Sequence, residues 1–313
     1  MNQTKKKNPL KRLLSMRGMG QVVTVTIGLI VLLVAFALIN PNFWSPTNRT
    51  NLLRQIAPIL IIGIAQSYVL ITGNIDLSIG SVVGMSTMVA ATLMSKGIMS
   101  PIPALLVTLL CCLLIGVLNG LLVAKFKLPP FIATLGTMTV ARGIAQLVNG
   151  NYNTDSIMKF YPEAAQTFKN VFYYGKTLGL YNGIWIAIIL WIVFNFLLSK
   201  TRTGRYIYAT GSNIDAARLS GVNVVSTTVI AYVVSAFCSF VVGIITCATV
   251  GQGTMDAGNS YEMYAVAASV IGGVSTLGGQ GILLGTVVGA AIWGTLQNGL
   301  QFAGAPVAIR NII

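Results

Sequence analysis

Charge is scarce in this sequence, and acid is scarcer still. Only 8% of the 313 residues are charged, six of them acidic, and histidine is absent; ordinary soluble domains carry roughly a quarter charged residues. The four cysteines, Cys111, Cys112, Cys238 and Cys247, all sit in apolar runs without CxxC spacing. With no histidine and no ligand spacing, a structural metal and a disulfide framework are both excluded, and no cofactor is called for. The same poverty leaves no paired carboxylates and no nucleophile beside a base, so membrane-embedded catalysis has little to work with. Nucleotide signatures fail too. Asn170-Val171-Phe172-Tyr173-Tyr174-Gly175-Lys176-Thr177 ends like a phosphate loop, but Asn170 stands where the first glycine belongs. Gly278-Gly279-Gln280-Gly281 lacks the spacing and strand context of a dinucleotide fingerprint.

What fills the chain instead is apolar. Hydrophobic residues make up 55%, mean hydropathy is +0.79, and runs of about 20 apolar residues recur, each long enough to cross a bilayer core as a helix. The alternating pattern of a membrane barrel is missing, so backbone groups must be satisfied inside helices. The expectation is an all-α, polytopic integral membrane helical bundle with about nine spans. These run over Gly20–Ile39, Leu52–Thr72, Leu77–Ser95, Ile102–Ala124, Phe131–Val148, Tyr181–Leu198, Thr227–Val250, Glu262–Val274 and Gly281–Ala303. The eighth has only 13 residues, short enough for a half-helix or re-entrant segment. Gly20–Ile39 is too long for a signal peptide and lacks a small-residue cleavage site, so it reads as a retained first helix. A basic N-terminus, 1–19, thus precedes one membrane domain, 20–313, with long loops at 149–180 and 199–226.

The net charge of +14 would suggest nucleic acid in a soluble protein. Its distribution points to topology instead. With the N-terminus inside, twelve cations fall on the cytoplasmic side (Lys5, Lys6, Lys7, Lys11, Arg12, Arg17, Lys125, Lys127, Lys200, Arg202, Arg205, Arg218). Seven fall outside: Arg49, Arg54, Lys96, Lys159, Lys169, Lys176 and Arg310. That asymmetry favours a cytoplasmic N-terminus and contact with anionic lipid headgroups, not nucleic acid.

Polar residues at membrane depth are the candidate functional groups. Asp76, in Gly73-Asn74-Ile75-Asp76-Leu77-Ser78, is the sole acid of the first 154 residues. An intramembrane carboxylate either caps the following helix or faces substrate or water. Arg142 lies within a span and calls for an ion pair, with Asp76 among the options, or for carbonyl partners. Gln66, Asn119, Asn195, Gln297 and Asn298 are amides in apolar context, suited to interhelical hydrogen bonds or to a polyol cavity. Gly80/Gly84, Gly116/Gly120 and Gly281/Gly285/Gly289 repeat the small-xxx-small spacing of close helix packing.

Between two spans lies Ser212-Asn213-Ile214-Asp215-Ala216-Ala217-Arg218-Leu219-Ser220-Gly221, preceded by the basic stretch Lys200–Arg205. Ser212 and Asp215 have capping-box spacing, and Gly221 suits the left-handed residue that ends a helix. About two turns fit between them, too few to be stable alone in water, so the helix must rest on its own bundle or on a partner.

These segments resemble the permease subunits of bacterial ATP-binding-cassette importers for ribose, xylose, galactose and related sugars. The resemblance is carried by Gly73–Ser81, Leu128-Pro129-Pro130-Phe131-Ile132-Ala133-Thr134-Leu135-Gly136-Thr137-Met138, Thr201–Arg205 through Ala216–Asn223, and Ile271-Gly272-Gly273 with Gly278-Gly279, in family order over nearly the whole chain. It implies about ten helices, a dimer of like or unlike protomers, a cytoplasmic ATP-binding subunit and an extracytoplasmic sugar-binding protein. It also implies residence in the bacterial cytoplasmic membrane. Ser212, Asn213, Asp215, Ala216, Ala217, Arg218, Leu219, Ser220 and Gly221 would then form the coupling helix that docks on the ATPase. Polarity at membrane depth nominates Gln66, Tyr68, Asn74, Asp76, Asn119 and Thr134 for the substrate pathway, with Phe131 for stacking on a sugar face. Tyr264 stands where many relatives carry Asp, and one more apolar helix is expected beyond Ile313. The competing interpretation is a stand-alone secondary transporter or channel for a small polar solute, which would need ion-coupling acids beyond Asp76.

Overall fold

The structure, a computed structural model, describes residues 19–312, so the basic stretch 1–18 and Ile313 lie outside the described residues. Helices dominate because a chain this apolar must close its backbone hydrogen bonds within each segment. In order they are α1 (Met19–Ile39), α2 (Pro46–Ile71), α3 (Ile79–Ser95), α4 (Pro101–Ala124) and α5 (Pro130–Leu147), then the loop helix α6 (Pro162–Lys169). They continue with α7 (Asn182–Lys200), α8 (Arg202–Ser212), α9 (Ile214–Leu219), α10 (Val224–Val250), α11 (Tyr261–Ile271), α12 (Leu283–Phe302) and α13 (Val307–Ile312). Five of these, α1, α2, α4, α7 and α10, are long and apolar enough to cross a membrane by length and composition alone. The remaining expected spans are helical as well, and the all-α bundle stands.

Two boundaries differ from expectation. Helix α2 begins six residues before Leu52, because Ser45 Oγ accepts the Asn48 N–H (3.3 Å) and Pro46 occupies the first turn, where no N–H is needed. The polar stretch Thr47–Asn51 hides this start from a hydropathy scan. In addition, the basic stretch after Lys200 is an amphipathic helix, α8, capped by Thr201 Oγ1 on the Gly204 N–H (3.3 Å).

Helices α2, α3 and α10 form the buried centre, with α4 and α11 laid against them. The glycine pairs are seams within it. A Cβ on Gly116 would meet Tyr232 O at 2.8 Å, one on Gly120 would meet Val229 Cα at 2.5 Å, and Gly285 and Gly289 press on the Gly272 and Ala268 carbonyls. The loop after α5 carries α6, a π turn (Asn170–Tyr174) and a hairpin pairing Lys176–Thr177 with Leu180–Tyr181. Gly175-Lys176-Thr177 therefore leads into a strand, not into the helix N-terminus that a phosphate loop requires.

Helix continuity breaks twice. Residues 72–78 separate α2 from α3, and the latter starts beside the middle of the 27-residue α10, where Asp76 bonds Ser235. From there α3 runs alongside α10 towards Val250: Ser86 bonds Phe240 O and Thr87 bonds Gly243 O. After α10 the chain turns back without helix. Gly253 lies against Ala91 and Met88, Ala257 against Gly84, and Gly258 against Gly80. Only then does α11 begin, 11 residues long, and it runs the other way, with Ala268 against Gly63 of α2; in the loop beyond it the Gly279 N–H reaches the Ile71 carbonyl (2.9 Å). Two half-helices thus start at one level and diverge. The eighth span is the half-helix its length allowed.

Unpaired carbonyls at this depth need donors. Arg142 Nη1 supplies them, reaching Met255 O (3.1 Å) and Ala257 O (2.9 Å). The carbonyl option for Arg142 holds, and its pairing with Asp76 does not. Thr154 Oγ1 and Asn153 Oδ1 accept the Gly253 and Met255 N–H groups, so the loop after α5 pins the same segment.

Candidate functional site

The short helix α9 is built from its ends inwards. Its N-cap is Asn213, whose Oδ1 accepts the Ala216 N–H at 2.8 Å. Ser212, expected in that role, instead closes α8: its Oγ donates to Tyr208 O at 2.8 Å. The capping box is one residue out of register because α8 extends to Ser212, leaving Asn213 as the first free side chain. Asp215 sits 3.7 Å from Arg218 on the exposed side, a surface pair worth little. Gly221 is left-handed (φ +79°), and its N–H bonds Arg218 O.

Exposure divides the helix into two faces. Ala217 is 4% exposed and turned to the bundle, whereas Leu219 is 90% and Ile214 48% exposed. Ala216 and Arg218 stand out with Leu219. Two apolar side chains on a six-residue helix therefore point away from the protein.

Helix α8 ties this element to the end of α2, at the first break, and to the loop between α11 and α12. Gly211 packs on the Ile71 carbonyl, where a side chain would collide, and lies 2.7 Å (as a built Cβ) from Gly279 N. Tyr208 Oη donates to Gly281 O at 2.6 Å, and burial pushes its phenol up to about 12. The ends of α2 and α8 and the loop between α11 and α12 thus form one knot, next to a cavity of about 580 Å³ lined by Asn74, Lys127, Pro130, Thr210, Asn213 and Arg218 among others. Among the described residues, the Thr210 hydroxyl is buried there without a partner.

Above the knot lies a buried polar network. Asp76, 2% exposed, accepts the Ser78 N–H (2.9 Å) and Oγ–H (2.6 Å) through Oδ1, and the Ser235 hydroxyl (2.7 Å) through Oδ2. Asn119 donates to Ser78 Oγ (2.9 Å) and accepts from Thr137 Oγ1 (2.6 Å). Asp76 therefore braces the break before α3 by closing a turn two residues on. It does not reach the first-turn N–H groups, because Ser78 itself is the N-cap residue.

The nominated pathway residues divide accordingly. Asp76 and Asn119 share the network, Asn74 lines the cavity beside α9, and Tyr68 donates to Phe194 O (2.7 Å). Thr134 bonds its own helix at Pro130 O (2.8 Å), and Phe131 lies on the outside of the chain, 56% exposed. Gln66 is fully buried, and among the described residues neither of its amide atoms has a partner. Ser78, Ser235 and Thr137 were missed: hydroxyls carry no signal in a sequence full of them, and only the Asp76 carboxylate flagged the place.

Comparison with known proteins decides what kind of membrane protein this is. Residues 48–313 match the family described as branched-chain amino acid transport system / permease component. The chain belongs to this family. Among its relatives, the ribose import permease protein of Haemophilus influenzae is 40% identical, over 88% of this chain and 84% of that protein. The ribose import permease protein of Bacillus subtilis is 36% identical over 89% and 84%, and the D-allose transport system permease protein of Escherichia coli is 32% identical over 87% and 82%. No solved structure matches. In this multi-pass membrane permease, then, the short exposed helix and the double break are parts of a transport protein.

Proposed function

We propose that this permease is the membrane-spanning subunit of an ATP-binding-cassette importer that moves a monosaccharide of the ribose, xylose or galactose kind inward by alternating access. The single observation that carries the proposal is α9: a capped helix presenting Leu219 and Ile214 to solvent while anchored, through α8, to the end of α2 at the first break and to the loop between α11 and α12. A chain with no nucleotide motif needs an outside source of work. An exposed apolar step on a rigid lever is where a cytoplasmic ATPase would push. The relatives named as sugar import permeases supply the substrate class.

On this proposal the helix face lies in the cytoplasm, with the N-terminus, and the loop 149–180 lies outside, where a sugar-binding protein delivers its cargo. A second permease protomer completes the pathway. Ser212 and Asn213 form the hinge between the two short helices, Ala217 is the contact with the bundle, and the remaining residues to Gly221 face the ATPase. Asn74 lines the inner mouth, and Asp76 and Asn119 stiffen the break above it. Co-expression with the ATPase and sugar-binding protein from the same gene cluster should give ATP-dependent uptake of radiolabelled D-ribose, D-allose or D-galactose. Gradient-driven uptake by the chain without any ATPase would instead establish a stand-alone transporter.

A further inference from the structure

The face opposite α9 carries two adjoining cavities of about 360 and 310 Å³ that share Gln55 and Gln301. The second descends between α2 and α12 to Tyr261, the first residue of α11, and so ends where the bundle is discontinuous. Its floor is aromatic: Tyr261 and Tyr264 have ring centroids 5.7 Å apart, and Tyr264 and Trp293 5.3 Å. Its wall is amide: Gln55, Gln297 and Gln301.

Asn48 and Asn298 bond each other (2.9 and 3.2 Å), and Asn298 also donates to Gln55 Oε1 (3.3 Å), which fixes the rim. Among the described residues, Trp293 Nε1 is buried without a partner. Among the described residues no carboxylate lines either cavity; the Arg54 guanidinium is covered by the rings of Tyr173 and Tyr181, each 4.2 Å away, and Arg310, which lines the second cavity, adds a charged donor beside the amides. Neutral donors and acceptors facing an aromatic surface suit a neutral ligand with hydroxyls on its edges and C–H groups on its face. The volumes fall within the range of small-molecule sites. A cation would find no counter-charge at the floor.

We infer that Tyr264, Trp293, Gln297 and Gln301 form the outward-facing site that receives the sugar, its ring stacked on the aromatic floor and its hydroxyls taken by the glutamines and Trp293 Nε1. The inference rests on the sugar-importer proposal and adds the residues that touch the cargo, none of them among the positions nominated from sequence for the pathway. Its test is uptake of radiolabelled D-ribose, D-allose and D-galactose by cells carrying the complete transport system, with the amount of permease in the membrane and its co-purification with the ATPase measured alongside. Trp293→Leu and Gln297→Leu should each lower uptake by about tenfold, the size of one lost stacking or hydrogen-bonding contact, with assembly intact and Trp293→Phe, which keeps a stacking ring but not the Nε1 donor, falling between the unsubstituted protein and Trp293→Leu. Uptake unchanged in both Leu variants overturns the site while leaving the importer proposal standing; absence of uptake of all three sugars in the unsubstituted system sinks the proposal beneath it. Should Trp293→Leu fail to assemble, labelling of Gln297→Cys by a membrane-impermeant maleimide decides. Labelling slowed by a transported sugar supports the site, and labelling indifferent to it refutes the site.

Discussion

Replacing Leu219 by Asp tests the docking role of α9 directly. Leu219 is 90% exposed, so nearly its whole side chain is available for burial by a partner. Full burial of a leucine stabilises by roughly 1.5–3 kcal/mol. Losing it weakens association with the ATPase by roughly 10- to 150-fold, and a carboxylate left in an apolar groove adds to the loss. The fold should not notice, because Leu219 touches little of its own chain. Ala217→Asp is the opposite case. Ala217 is 4% exposed against the bundle, so a charge there costs several kcal/mol of stability and should lower the unfolding midpoint in detergent. Titrating purified permease with its ATPase, with thermal unfolding of each variant in parallel, separates the two. Unchanged ATPase affinity in Leu219→Asp, with the permease folded, would refute the assignment of this face.

Three other outcomes are expected. Ser235→Ala removes the one side-chain donor that the described residues give Asp76 Oδ2 and leaves that buried carboxylate oxygen unpaired among them; the expected destabilisation is about 1.5–3 kcal/mol, read as a lower unfolding midpoint. Gly258→Ala forces a side chain into a left-handed backbone (φ +75°) and against the Gly80 carbonyl. It should cost about 2–4 kcal/mol from the two effects together and reduce recovery of folded protein, whereas Gly136→Ala, with nothing near, should be harmless. Tyr208 has its pKa raised from 10.0 to about 12 by burial, so the folded state keeps a proton that the unfolded state loses. Its contribution is constant below pH 10 and falls as pH rises from 10 to 12; Tyr208→Phe should flatten that part of the stability–pH curve and also lose the bond to Gly281 O.

Much of the architecture could be read along the chain. Nine apolar segments became nine helices with ends mostly within a few residues, because lipid admits only backbones that satisfy themselves. The half-length of α11 followed from counting residues, and the left-handed stop at Gly221 from the chemistry of glycine. The slips were local. Ser212 and Asn213 are both competent caps, and the choice fell to Asn213 because Gly211, pressed on the Ile71 carbonyl, lets α8 continue one residue further. The start of α2 was missed because its first turn is polar.

Composition and order along the chain determined that this is a helical membrane protein, where its helices run, and that a short helix interrupts them. Only the tertiary structure decided which polar groups meet: Asp76 with Ser235, 159 residues away, Asn48 with Asn298, and Tyr264 with Trp293. The reason is the solvent. In water a helix shows its buried face by the contrast between apolar and polar stripes, but lipid and protein interior are both apolar, so that contrast vanishes. The rotation of each helix, and with it the cavity that Gln297 lines and the bond that Asn298 makes one residue later, is set by close packing between helices far apart in sequence.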